Sequence, residues 1–140
     1  MTPEQIFQVA NLVALAGWLL LAILPGRRWV ATAVTSVAIP GLLAVVYIVA
    51  LAPHWSDAEG GFGSLPQVAQ LFENRWLLLA GWVHYLCFDL LIGTWEVQDA
   101  QARGVPHLLV VPCLILTFLF GPAGWLLYKG FASVHSRSKA

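Results

Sequence analysis

Four stretches of the sequence, roughly 6–24, 29–52, 76–95 and 105–131, are apolar over nearly their whole length. A helix needs about 20 such residues to cross a bilayer. Each run is continuous, so helix is favoured over strand. The alternating segments of roughly ten residues that build a membrane β-barrel are missing. Composition agrees. The 140 residues are 59% hydrophobic and only 10% charged, where a soluble domain carries about a quarter charged residues. Mean hydropathy is +0.77. The same figures exclude disorder. With 12 Gly, 8 Pro and 2 Cys at no fixed period, collagen and disulfide scaffolds fail too. The predicted fold is an all-α integral membrane protein, a single domain over 1–140. It has four transmembrane helices, both termini on the same side, and a lipid bilayer as solvent.

The boundaries carry their own signals. Pro25-Gly26 stops the first run, Arg27-Arg28 marks an interface, and Pro53 stops the second. Trp29, Trp55, Trp76 and Trp95 fall near the ends, where amphipathic rings prefer to lie. In the second loop, Ser64-Leu65-Pro66-Gln67 fits a capping box. Leu65, Val68, Ala69 and Phe72 follow at helical spacing, which predicts a short interfacial helix leading into the third span. In the fourth run, Pro112 and Pro122 each remove one helical hydrogen bond and free the carbonyls of Leu108 and Phe118. Pro40-Gly41 does the same in the second. The bundle is then either splayed to admit a long apolar molecule or simply carries the prolines common in membrane helices. The acidic start, Met1-Thr2-Pro3-Glu4, is no cleavable signal. Basic residues divide almost evenly between the two sides, leaving orientation open. The formal net charge is zero with no basic run, so nucleic acid is not an expected partner. Cys87 and Cys113 lie inside apolar runs and act there as small hydrophobes.

Asp89 lies about 5 Å past the middle of the third span, and His84 lies near the middle. A carboxylate at the bilayer centre costs about 2.5–3.5 kcal/mol on insertion scales, so it normally faces the bundle interior or a wet cavity. Tyr85, Asp89 and Glu96 fall within an arc of about 40°, while His84 lies about 140° from Asp89. His84 and Asp89 share a site only if neighbouring helices enclose one cavity around both. His107 opens the fourth run, on the side toward Glu96 and Asp99. Three readings compete. Asp89 locks helix packing, satisfied by Asn11, Tyr85 or a freed carbonyl. Or Asp89 and His84 move protons on a lipid-soluble substrate. Or His84, Asp89, Glu96 and His107 hold a metal. The paired His-x-x-x-His spacings of membrane di-iron enzymes are missing, so no metal site is assigned. Haem held by two histidines needs both deep, and only His84 is. Ala80 and His84 repeat an antenna-helix spacing, but two residues carry little. The cofactor stays unassigned.

The run Leu78-Leu79-Ala80-Gly81-Trp82-Val83-His84-Tyr85-Leu86-Cys87-Phe88-Asp89-Leu90 resembles the third-helix motif of the abscisic-acid-deficient-4-like family. Arg103-Gly104-Val105-Pro106-His107-Leu108 through Pro112-Cys113 resembles its next motif, and Phe120-Gly121-Pro122-Ala123-Gly124 the one after. Asn11 and Pro25 fit the first hairpin more loosely. The resemblance covers essentially the whole chain. It implies a small four-helix membrane protein. Plant members sit in plastid membranes and are required to make neoxanthin from violaxanthin, an isomerisation that opens an epoxide to an allenic alcohol. The lack of a transit peptide points to a bacterial member, in the cytoplasmic or a thylakoid-type membrane.

These readings combine into one expectation. The chain binds or isomerises a carotenoid or similar isoprenoid, with Asp89, His84 and Tyr85 as catalytic candidates. Tyr47, Trp82, Phe88 and Trp125 are candidates to line the ligand slot, with Asn11, Glu96 and His107 as its polar members. The competing class is a non-enzymatic accessory subunit of a larger pigment–protein or respiratory complex, or a homo-oligomer. Gly17, Gly81 and Gly93 would then make the contacts. A proton-coupled transporter is disfavoured, because four helices without a repeat do not match that architecture.

Overall fold

The computed structural model describes residues 1–56 and 58–137. Among them all regular structure is helical. Helix α1 spans Pro3–Ile23. Thr2 caps it: the Thr2 hydroxyl accepts from Gln5 N–H, and the Gln5 side chain accepts from Thr2 N–H. A π-helical segment, Val30–Ala38, runs straight into α2, Ile39–Leu51. The short α3 is Leu65–Leu71, α4 is Arg75–Arg103, α5 is His107–Phe120 and α6 is Pro122–Arg137. Pro3–Ile23, Val30–Leu51 and Arg75–Arg103 are long and apolar enough to cross a membrane; His107–Phe120 is apolar but shorter.

Helix α4 is the axis of the molecule. Its apolar window is 50% buried inside the protein, against 28% for α1 and 22% for Val30–Leu51. The other two spans therefore turn most of their apolar surface outward, as lipid-facing helices do. Asn74 starts α4 by accepting from the Trp76 and Leu77 N–H groups. Gly104, at φ 67°, ends it in the left-handed conformation that favours glycine. Glu4 pairs with Arg75 and so marks one end of the bundle. The Gln101 side chain donates to the Pro25 carbonyl and marks the other.

The π-helical segment departs from the α-helix expected over 29–52. Its widened turns offer carbonyls sideways, and α4 takes them. Gln98 Nε2 donates to the Ala31 carbonyl at 2.8 Å, and Thr94 Oγ1 to the Thr35 carbonyl at 3.2 Å. Helix α3 forms where the capping signal placed it. Ser64 Oγ accepts from Gln67 N–H, but the Gln67 side chain accepts from Gly63 N–H rather than closing the expected reciprocal bond.

The larger departure is in the fourth run. The single helix expected over 105–131 is two helices, broken at Gly121. Helix α5 starts at the Pro25 end, where His107 Nε2 meets the Ala22 carbonyl at 2.9 Å. Its 14 residues reach about 21 Å, to the middle of α4. Gly121 then takes φ 45° and ψ −98°, which a side chain would oppose. Pro122 supplies the first residue of α6, where a missing N–H costs nothing.

Helix α6 folds back along α5. Tyr128, fully buried, donates to Asp99 Oδ2 at 2.7 Å. Tyr128 and Ala132 share one core with Ala100, Val105 and Val110. A straight continuation would have carried Tyr128 about 30 Å away from His107. The described end of α6 therefore lies at the Pro25 end, opposite Pro3, and the two ends do not share a side as the sequence reading expected. Phe-Gly-Pro encodes a reversal, where a kink was expected.

The hairpin closes because Gly124 has no side chain. A Cβ there would collide with the Thr117 backbone nitrogen and hydroxyl and with the Cys113 carbonyl. Gly124→Ala is expected to lower stability by about 1–3 kcal/mol, as overpacking does, read as a lower Tm in detergent. Gly26→Ala, where a Cβ meets open space, is expected to leave Tm unchanged. Equal Tm values for the two variants would contradict the hairpin.

Candidate functional site at the hairpin tip

The hairpin brings its tip against the polar residues of α4. Pro122 has no N–H, so the Phe118 carbonyl lacks its helical partner. The Tyr85 hydroxyl supplies one, donating to it at 3.0 Å. One turn further along α4, Asp89 faces Gly121, where a Cβ would stand 3.1 Å from Asp89 Oδ1. The first turn of α6 thus points its positive dipole end at the carboxyl. Asp89 Oδ2 is buried and has no hydrogen-bond partner among the described residues. Asp89 opens on a cleft of about 220 Å³ walled by Ile92, Gly121, Pro122 and Trp125.

Because the hairpin stops at mid-bundle, the α1–α4 face toward the Glu4 end stays uncovered. Two cavities of about 460 Å³ each lie there and share Phe7 and Gln8. One reaches Trp82 and Arg75; the other reaches Asn11 and Phe118. Asn11 does not satisfy Asp89, one of the readings open from sequence. Its Oδ1 accepts from Trp82 Nε1 at 3.0 Å and its Nδ2 donates to the Phe7 carbonyl at 2.7 Å.

His84 is placed elsewhere. Its ring packs on Phe88 at 4.6 Å and Tyr47 at 5.9 Å between centroids. It lines a separate cavity of about 610 Å³, walled by α2, α3 and α4 with Tyr47, Trp55 and Phe72. Tyr85, Asp89 and Trp125 therefore stand on one side of α4, and Tyr47, His84 and Phe88 on another. His84 and Asp89 line different cavities. Glu96 lies about two turns beyond Asp89, fully buried, with Oε1 accepting from Thr117 Oγ1 at 2.9 Å. It belongs to the core of the hairpin contact and lines none of these cavities. His107 joins α5 to the end of α1. Among the described residues no group of three His, Cys, Asp or Glu is placed to hold a metal ion.

The glycines expected to mediate outside contacts are covered from within. Gly17 faces Leu90, Gly81 faces Phe72, and Gly93 seats the Trp18 ring. Sequence reasoning missed Thr117 and Gly121 as members of the polar cluster. The signal for Gly121 was the Phe-Gly-Pro run; for Thr117 it was only a hydroxyl one turn before it.

Tyr85→Phe removes one hydroxyl and leaves the Phe118 carbonyl unsatisfied. The expected cost is about 1 kcal/mol, read as a lower Tm with helicity unchanged. A Tm equal to that of the unsubstituted protein would contradict the contact.

A family model described as ABA4-like, ABA DEFICIENT 4-like, matches residues 5–128. The matched region runs from the first turn of α1 through α5 and the hairpin turn into α6, with Tyr85, Asp89, Glu96 and Gly121. No curated protein and no solved structure matches the chain. The family match spans well over half of the sequence, and the chain belongs to the ABA DEFICIENT 4-like family.

Proposed function

We propose that this protein binds a carotenoid or similar isoprenoid within the membrane and isomerises it by acid–base chemistry at Asp89. Family membership points to the abscisic acid and neoxanthin branch of carotenoid chemistry. The observation that carries the site assignment is the Asp89 carboxyl, held at the hairpin tip beside Tyr85 with one buried oxygen that has no hydrogen-bond partner among the described residues. A carboxyl at that depth serves function by default.

In this reading α1, Val30–Leu51 and α4 cross the bilayer, and the α5–α6 hairpin enters from one side and returns after half its thickness. Irregular backbone at such depth is tolerated where protein buries it or it lines a cavity, and the turn at Gly121 does both. Helix α3 lies at the interface. The isoprenoid chain occupies the uncovered α1–α4 face beside Phe7 and Trp82, and its end group reaches the Tyr85–Asp89 pair.

Epoxide opening to an allenic alcohol needs one proton removed and one delivered. Asp89 as carboxylate takes the proton from carbon. The released electron pair forms the new double bond as the carbon–oxygen bond breaks. The leaving oxygen takes a proton from the Tyr85 hydroxyl, and Asp89 returns its own to Tyr85. The sum is an isomerisation with no net proton change. His84 takes no part; it lines the aromatic cavity on the other side of α4.

Asp89→Asn keeps the size of the side chain and removes the base. It is expected to abolish conversion of an epoxy-carotenoid in carotenoid-producing cells, while carotenoid still co-purifies with the folded protein. Full conversion by this variant would contradict the acid–base role. Mass spectrometry of the unsubstituted protein is expected to find a bound isoprenoid, and its absence would contradict the binding itself.

A further inference from the structure

The reversal at Gly121 changes which charges share an end of the bundle. On a straight fourth span, Lys129 and Arg137 would join Arg75 at the Glu4 end and balance Arg27, Arg28 and Arg103 at the other. Folded back along α5, they lie at the Pro25 end instead. Lys129 Nζ stands 4.4 Å from the centroid of the Trp95 ring, which lies past Asp89 on α4 toward that end. Arg137 is the last residue of α6. Arg27 and Arg28 occupy the turn between α1 and the π-helical segment, and Arg103 closes α4 beside the Gln101 contact to Pro25.

The Glu4 end is the reverse. Among the described residues Arg75 is its one Lys or Arg, and it pairs with Glu4. Glu59 and Glu73 add acids on either side of α3. Orientation in a bilayer follows the lysines and arginines in short connections near the ends of spans, and acids weigh little in it. Arg103 is held by Asp99. With that pair set aside, Arg27, Arg28, Lys129 and Arg137 still stand against Arg75 alone.

The uncovered face has a fixed relation to these ends. The hairpin covers α4 only from the Pro25 end to the middle. The two cavities of about 460 Å³ that share Phe7 and Gln8 lie in the other half, and one of them reaches Arg75.

We propose that the Pro25 end faces the compartment from which the chain is inserted, the cytoplasm of a bacterial cell, and that the uncovered α1–α4 face opens into the opposite, outer leaflet. The orientation rests on the reading that α1, Val30–Leu51 and α4 cross the bilayer, and it holds whatever chemistry Asp89 performs. Arg27, Arg28 and Arg137 lie against the cytoplasmic leaflet, whose negative surface potential attracts them. The isoprenoid is taken from the outer leaflet. It enters sideways beside Phe7 and Trp82, and its end group reaches down to Asp89 at mid-bilayer.

The test labels single cysteines of the full-length protein in bacterial spheroplasts with a maleimide that does not cross membranes. Cys87 and Cys113 are buried, so the unsubstituted protein is expected to give no signal. Ala69→Cys, at an exposed position of α3, is expected to label in intact spheroplasts. Gly26→Cys, where a Cβ meets open space, is expected to label only after permeabilisation. The opposite pattern would overturn the orientation, whereas identical behaviour of the two positions would contradict the three-span reading beneath it. Combining Arg27→Gln and Arg28→Gln with Glu59→Lys and Glu73→Lys evens the two ends. It is expected to let a fraction of Gly26→Cys molecules label from outside, and an unchanged pattern would overturn the role given to the charges. Gln8→Cys, on the wall the two cavities share, is expected to label from outside in cells that make no carotenoid and several-fold less in cells that do. Equal labelling in the two would overturn the outer-leaflet site while leaving the orientation standing.

Discussion

The structure depends on a backbone reversal inside an apolar run. At Gly121–Pro122 the chain turns back on itself, and Gly124 lets α6 lie against the Thr117 and Cys113 backbone. Two residue types do this work. Proline withdraws a donor the α5 continuation would need, and glycine accepts a conformation that other residues resist. The hairpin is then held by burial of Tyr128 and by its bond to Asp99. Because the reversal falls beside the middle of α4, the carboxyl of Asp89 meets a helix N-terminus and backbone where lipid would otherwise lie.

A bilayer forces every polar group on α4 to find a partner inside the protein. The side chains at Thr94 and Gln98 reach the carbonyls exposed by the π-helical segment, and Tyr85 reaches the carbonyl released by Pro122. Such contacts contribute about 0.6–2 kcal/mol each, so they orient the helices as much as they stabilise them. Asp89 Oδ2 and Glu96 Oε2 are buried without a hydrogen-bond partner among the described residues. Under the proposed function, the Asp89 oxygen is where stability yields to function.

The sequence carried the existence of the helices clearly. Length, hydropathy, the Thr2 and Ser64 caps and the Pro25 and Pro53 stops all act locally, and local signals survive in one dimension. Asp89 was legible for the same reason, since an acid in a long apolar run stands out without any neighbour. The π-helical turns were not, because they depend on Gln98 and Thr94, more than 50 residues away. Nor was the reversal at Gly121. Proline in a membrane helix usually bends it, and only contacts such as Tyr128 with Asp99 decide between a bend and a return. The angular separation of His84 from Asp89 was computable from helix geometry; that no neighbouring helix would close a chamber around both depended on where the hairpin lies.

A distance measurement between α5 and α6 tests the hairpin itself. Spin labels at Leu108→Cys and Val134→Cys would sit on exposed positions near the start of α5 and the end of α6. Antiparallel neighbours lie about 8–10 Å apart between axes, so a hairpin should give a short separation, within about 20 Å once label reach is included. A single continuous helix would hold the same labels about 39 Å apart. A distance near that value would contradict the hairpin, and with it the placement of Asp89 at an enclosed tip.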